Sequence, residues 1–218
     1  MENVYYINLN HRKDRKKYIE SHLNQLNWKY KRFNAMQLKN GAIGCSMSHL
    51  KILQNAKAEK LEYVVIVEDD FKCVNIMELN KKLTKIMSEN NDFDVLLLGG
   101  NIIPPYKVVS DDVVQVKHSQ TTIGYMVKKH YYDILISNIK GGIELLMKNP
   151  NEKIKYAIDK YWIQLQKRDK WYIVFPLMVT QLDGYSDIEG KVTNYDHLML
   201  DHEKKWFFER QKMYMNMV

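Results

Sequence analysis

Three short, mainly apolar runs, at residues 4–9, 63–67 and 93–98, and a fourth at 28–33 that alternates aromatic with basic residues, are separated by stretches whose apolar residues recur at helical spacing. That alternation over the first hundred residues constrains the chain more than any other feature. A run apolar on every residue, such as "YVVIV", suits a strand buried on both faces. Spacing like that of Tyr18, Ile19, Leu23 and Leu26, or of Ile76, Leu79, Leu83 and Ile86, suits a helix with one buried stripe. Strand then helix, repeated, predicts an α/β fold whose mostly parallel sheet is covered by helices on both faces. Asn75 stands where it can cap the third helix.

The pattern changes after "NIIPPY", where two prolines enforce a loop. "DVVQVK" and "TTIGYMVK" read as short β runs forming a hairpin or an antiparallel flap, so the second half is expected to be smaller and antiparallel or irregular. "YYDILISNI" and "YAIDKYWIQLQK" read as helical and "WYIVFPLMVTQ" as extended. "DHLMLDHEKKWFFERQKMYM" reads as a basic amphipathic helix, making residues 191–218 a helical extension. No repeat or low-complexity linker divides residues 1–218, which therefore read as one domain.

A strand apolar on both faces ends in three carboxylates, "EYVVIVEDDF". In open α/β sheets ligands gather at the carboxyl ends of the strands, where Glu68, Asp69 and Asp70 would stand. Three adjacent carboxylates repel one another and raise some of their pKa values, a cost that a hard divalent cation with oxygen ligands removes. Mn²⁺ or Mg²⁺ is the natural occupant, and a metal beside a basic protein suits a phosphate-bearing substrate. The bland alternative is a solvated strand end.

The formal charge of +7 is spread along the chain and does not gather into one patch. A dispersed excess is ordinarily a solvated surface, so nucleic acid is not expected as a partner, although a noncatalytic or nucleic-acid-binding basic α/β protein is the competing class. Cys45 and Cys73 form neither a disulfide framework nor a recognised zinc spacing, and read as small core residues. No long apolar run or signal-peptide pattern is present, which makes a cytoplasmic protein without a transmembrane segment the default unless the chain is part of a longer one. The basic C-terminal stretch leaves room for a membrane surface or for a homodimer.

Several blocks occur together in order: "YYINLNHRKDR" at 5–15, "NGAIGCSMSHLKIL" at 40–53, "VVIVEDDF" at 64–71, "FDVLLLGG" at 93–100 and "TTIGYMVKK" at 121–129. "AIDKYW" at 157–162 and "PLMVTQLDGYSDIEG" at 176–190 follow. This arrangement, over roughly residues 3–190, resembles glycosyltransferase family 25, which includes galactosyltransferases acting on lipooligosaccharide or procollagen. The resemblance implies a GT-A type, Rossmann-like fold, a UDP-sugar donor with galactose favoured, a divalent metal and inversion at the anomeric carbon. The acceptor would be a hydroxyl of a glycan or of hydroxylysine in a collagen-like polypeptide.

On that resemblance Asp70 becomes the favoured metal ligand, with Glu68 and Asp69 sharing metal, ribose or donor sugar. Asn8 ends the first strand, and Arg12 and Arg15 open the helix after it, where guanidinium forks and free N–H groups can hold phosphate; Asn8 and Arg12 are the nucleotide candidates. Ser48, His49, Gly124, Gln181 and Ser186 are further donor-side candidates. An inverting transfer needs one carboxylate base, for which Asp159 is preferred to Asp187. Exposed first turns, capping serines and core histidines are the ordinary explanations of the same residue types.

Overall fold

The computed structural model describes residues 1–89, 92–186, 190–205 and 208. In its first half, strands β1 (Val4–Asn8), β2 (Tyr30–Asn34), β3 (Tyr63–Glu68), β4 (Phe71–Cys73) and β5 (Val95–Leu97) alternate with helices α1 (Lys13–Gln25), α2 (Gly41–Ala58) and α3 (Ile76–Ser88). Asn40 caps α2, its side chain accepting from the N–H groups of Ala42 and Ile43. Asn75 caps α3 by accepting from Glu78 N, as the sequence predicts.

The second half holds β6 (Asn101–Ile102), β7 (Lys107–Val108), β8 (Val113–Gln115), β9 (Ser119–Gln120) and β10 (Gly124–Lys128), then α4 (Tyr132–Lys148). Three short helices follow, α5 (Lys153–Tyr156), α6 (Ile158–Tyr161) and α7 (Ile163–Arg168). The described chain closes with β11 (Trp171–Val174), β12 (Val179–Gln181), β13 (Gly184–Ser186), β14 (Lys191–Thr193) and α8 (Asp196–Met199).

One eight-stranded sheet organises the molecule, in the order β2-β1-β3-β10-β5-β11-β8-β7. β1 pairs in parallel with β2 and β3, and β5 with β11, so the expected α/β sheet is present. The run at 121–129 departs from expectation. It forms no flap: β10 lies between β3 and β5, antiparallel to both, and β8 joins the same sheet beside β11. Tyr125, Met126 and Val127 are apolar on both faces and fully buried, which only a central strand can satisfy. Residues 191–193 are strand β14, antiparallel to β13, and the single helix expected over 196–215 is broken: α8 is one turn and residues 200–204 are not helical, while 206–207 and 209–215 lie outside the described residues.

Alternation along the strands divides the core in two. Tyr5, Ile7, Val64, Ile66 and Val127 face α2 and α4, where Ile52, Leu53, Leu135 and Ile139 meet them. Val4, Tyr6, Val65, Val67 and Met126 face the other way, onto Ile19 and Leu23 of α1 and Leu79 and Leu83 of α3. Each of these side chains contributes roughly 1.5–3 kcal/mol by leaving water, so both faces resist shear. The carboxyl ends of β1 and β3 are thereby held side by side, with Ile7 opposite Glu68. Among the described residues no helix is long and apolar enough to cross a membrane.

Candidate active site

The three carboxylates after β3 point in different directions. Asp69 faces the end of β1, where Asn8 Nδ2 donates to its Oδ2 at 2.7 Å, while Arg32 Nε donates to Asn8 Oδ1 at 3.1 Å and fixes the amide. Arg15, one turn into α1, spans two carboxylates: its Nη1 lies 3.1 Å from Asp69 Oδ1 and 2.9 Å from Asp70 Oδ2. Glu68 turns the other way. Its Oε1 accepts from the Thr122 hydroxyl and stands 3.6 Å from His49 Nε2.

These surroundings set the charges. Burial pushes Asp70 up to about 7, repulsion from Glu68 adds to the rise, and Arg15 opposes it. Burial also raises Asp69, against Asn8 and Arg15. For Glu68 the desolvation is outweighed by His49, Thr122 and Arg15, which hold it below its ordinary value. Asp70 Oδ1 is buried and has no hydrogen-bond partner. A buried, unpartnered carboxylate oxygen beside two other carboxylates is suited to a hard divalent cation such as Mn²⁺ or Mg²⁺, and the donor set fits that group.

Two clefts meet at this point. One, of about 330 Å³, is lined by His11, Arg15, Gln37, Lys39, His49 and the acidic run. The other, of about 630 Å³, is lined by Asn101, Thr121, Lys153, Asp159, Lys160 and Tyr195 among others. Cys45, Glu68, Asp70 and Gln181 belong to both walls. Gln181 arrives there because β12 pairs with β4, placing it opposite Phe71, and Leu182 N donates to Asp70 O at 2.7 Å.

Asp159 opens α6 and reaches the larger cleft from the far side. Thr121 N donates to its Oδ2 at 3.2 Å, and Lys160 Nζ lies 3.2 Å from the same oxygen. Thr121 adopts a φ of 79°, an unusual conformation for a β-branched residue and one that aims its N–H at Asp159. The Thr121 hydroxyl and Asn101 Oδ1 are buried without partners, as is Asp70 Oδ1, and all three residues line this cleft. Unpaired buried polar atoms cost about 1–3 kcal/mol each, a cost that a hydroxyl-rich ligand would offset.

Other candidates occupy different places. Arg12 turns to Asp14, with Nη2 3.0 Å from Asp14 Oδ2, and does not line either cleft; Arg15 is the arginine that meets the acidic run. Ser48 lines the smaller cleft, but its hydroxyl donates to Gly44 O at 2.8 Å and accepts from Met36 N at 2.9 Å. Gly124 is buried against Phe71, where a Cβ would come within 2.8 Å of the ring. Ser186 is described by its backbone in β13, and Asp187 lies outside the described residues.

Three residues that no sequence motif marks also line the larger cleft: Thr121, Asn101 and Lys160. A lone Thr before "TIGYM" and an Asn after two glycines carry no motif, and only the sheet brings them to one cleft. Lys160, next to Asp159, was visible as an adjacent pair of opposite charge.

A family model described as glycosyltransferase family 25 (LPS biosynthesis protein) matches residues 1–42 and 36–162. Procollagen galactosyltransferase 1 of Danio rerio is 23% identical over 199 residues, amounting to 79% of this chain and 31% of that protein, so the chain spans about a third of that relative's length. Among solved structures, a mannose-1-phosphate geranyltransferase from Thermus thermophilus aligns with a TM-score of 0.45 and 8% identity, covering 78% of this chain and 72% of the other. A glycosyltransferase involved in glycosylation of the major capsid of PBCV-1 aligns with a TM-score of 0.43 and 13% identity, over 80% and 92% of the two chains.

Proposed function

Because the chain belongs to glycosyltransferase family 25, we propose that it is a GT-A type enzyme that moves a sugar, galactose first among the candidates, from a UDP-sugar to a hydroxyl acceptor with inversion at the anomeric carbon. The acceptor is a glycan or a hydroxylysine of a collagen-like polypeptide, the second suggested by the procollagen relative. The observation that carries the reading is the junction of two clefts at Asp70, whose buried oxygen lacks a partner.

The smaller cleft takes the nucleotide: Arg15 and Lys39 supply positive charge toward phosphates, and Asn8 holds Asp69 in place for ribose or sugar hydroxyls. Asp70, with its unpartnered oxygen, would hold Mn²⁺ or Mg²⁺. The chemistry such a cation would supply there is neutralisation of the charge that develops on a departing diphosphate. The larger cleft takes the acceptor, with Asn101 and Thr121 offering hydrogen bonds to sugar hydroxyls. Asp159, pinned by Thr121 N–H and Lys160, takes the proton from the acceptor hydroxyl as its oxygen bonds to the anomeric carbon. The bond from that carbon to the diphosphate oxygen breaks, and UDP leaves with the electron pair.

A panel of UDP-sugars incubated with the chain and Mn²⁺, read as UDP release, tests this. Release strongest with UDP-galactose, lost in chelator and in Asp70→Ala, is expected. Full release in chelator sinks the metal assignment, and no release or binding with any UDP-sugar sinks the donor assignment.

A further inference from the structure

We propose that Cys45, His49 and Glu68 form a second cation site, for a thiophilic divalent ion of the zinc class, chemically separate from the carboxylate site at Asp70. Cys45 and His49 are four residues apart in α2 and so share one face of the helix. That face looks onto the end of β3. The sulfur of Cys45, a ring nitrogen of His49 and a carboxylate oxygen of Glu68 all lie within 4.8 Å of one another. A thiolate, an imidazole and a carboxylate are the ligand types zinc takes, whereas Mg²⁺ and Mn²⁺ favour oxygen alone.

An independent observation comes from His49. The imidazole is fully buried, stacks on Tyr125 with ring centroids 5.6 Å apart, and has its Nδ1 2.8 Å from the Tyr125 hydroxyl. Nε2 is left buried with no hydrogen-bond partner, facing Glu68 Oε1 from 3.6 Å. A ring nitrogen held by a polar partner while the other is presented bare is how metal-binding histidines are oriented. Tyr125 is itself immobilised at the centre of the sheet, in β10, so the ring cannot turn away.

The acidic run is thus divided by its neighbours. Asp69 and Asp70 share Arg15, while Glu68 is directed to Thr122 and His49. Cys45 and Glu68 line both clefts, so a cation on these three ligands keeps a fourth position open to solvent or ligand. Binding releases the Cys45 thiol proton to solvent as the sulfur–metal bond forms, with no change of oxidation state.

Co²⁺, titrated into the chelator-stripped chain as a spectroscopic stand-in for zinc, tests the site. A thiolate-to-cobalt charge-transfer band is expected, bleached by added Zn²⁺, absent in Cys45→Ser and retained in Cys73→Ser. Tyr125→Phe keeps the band and weakens Zn²⁺ by about 10–100-fold. Since Cys45→Ser could disturb packing, alkylation of Cys45 in the Cys73→Ser background supplies a second readout, and Zn²⁺ should slow it by about tenfold or more. No band in the unaltered chain, a band that survives Cys45→Ser, or alkylation unaffected by Zn²⁺ would overturn the proposal.

Discussion

Arg15 Nη1 lies 2.9 Å from Asp70 Oδ2, joining the first turns of α1 to the end of β3 across 55 positions of sequence. The guanidinium offsets part of the repulsion among the three carboxylates but leaves Asp70 Oδ1 without a partner. That incomplete compensation makes the site both a candidate cation binder and a pH-sensitive element.

Cation affinity should follow Asp70's titration. With its carboxyl pushed up to about 7 by burial, a proton competes with Mn²⁺ below neutrality. Calorimetric titration at pH 6 and pH 8 should show binding about tenfold weaker at pH 6, and Asp70→Asn should abolish the binding and its pH dependence. Equal affinity at both values would show that Asp70 is not a ligand.

Stability of the cation-free chain carries the opposite sign. A carboxyl whose folded pKa lies above its unfolded one stabilises the fold while protonated, and that contribution is lost as pH rises through about 7. Asp70→Asn removes the loss, so its Tm should exceed that of the unaltered chain at pH 8 and match it near pH 4. Each kcal/mol relieved should add about 2–4 °C. Thermal melts in chelator at the two pH values decide it.

The two arginines of α1 should behave differently. Arg15→Ala leaves two buried carboxylates without their shared partner and should cost about 3–5 kcal/mol at pH 8, with loss of UDP-sugar binding. Arg12→Ala leaves the Arg15 contacts to Asp69 and Asp70 in place, so donor binding should survive. Urea denaturation and donor titration of both variants would separate them, and equal effects would contradict the assignment.

Asp159→Asn keeps the shape of the side chain and removes the base. The rate of transfer should fall about 10²- to 10⁴-fold, while donor affinity changes little, because Asp159 lines only the larger cleft. Single-turnover transfer measured beside donor binding tests the split. A loss of donor affinity with an unchanged transfer rate would move Asp159 out of the base role.

Gly124→Ala tests packing against ligand contact. Its Cβ would fall 2.8 Å from the Phe71 ring, so about 1–3 kcal/mol of stability should be lost by overpacking. Donor affinity of the remaining folded fraction should be unchanged. A weaker donor KM without destabilisation would show that Gly124 faces the ligand.

The helix and strand periods of residues 4–100 are local properties, and they suffice to predict the parallel core, its two covered faces and an acidic edge at residues 68–70. Asn75 as a cap and Asp159 at a helix start are likewise visible, because a cap and its partner lie within one turn. Which arginine meets the carboxylates is not local. Arg12 and Arg15 look equivalent in sequence, and only the direction of α1 relative to β3 sends one to Asp14 and the other to Asp69 and Asp70. The insertion of β10 between β3 and β5 has no local signature either, since strand order depends on long crossovers. Yet that insertion brings Thr122 to Glu68 and Tyr125 to His49, and Thr121, just before β10, to Asp159. Sequence alone determined the layered core and the charged edge, because both follow from patterns within a few residues. Tertiary structure decided which charges meet and which buried oxygen and nitrogen stay bare, because those depend on side chains brought together from distant parts of the chain by the order of the sheet.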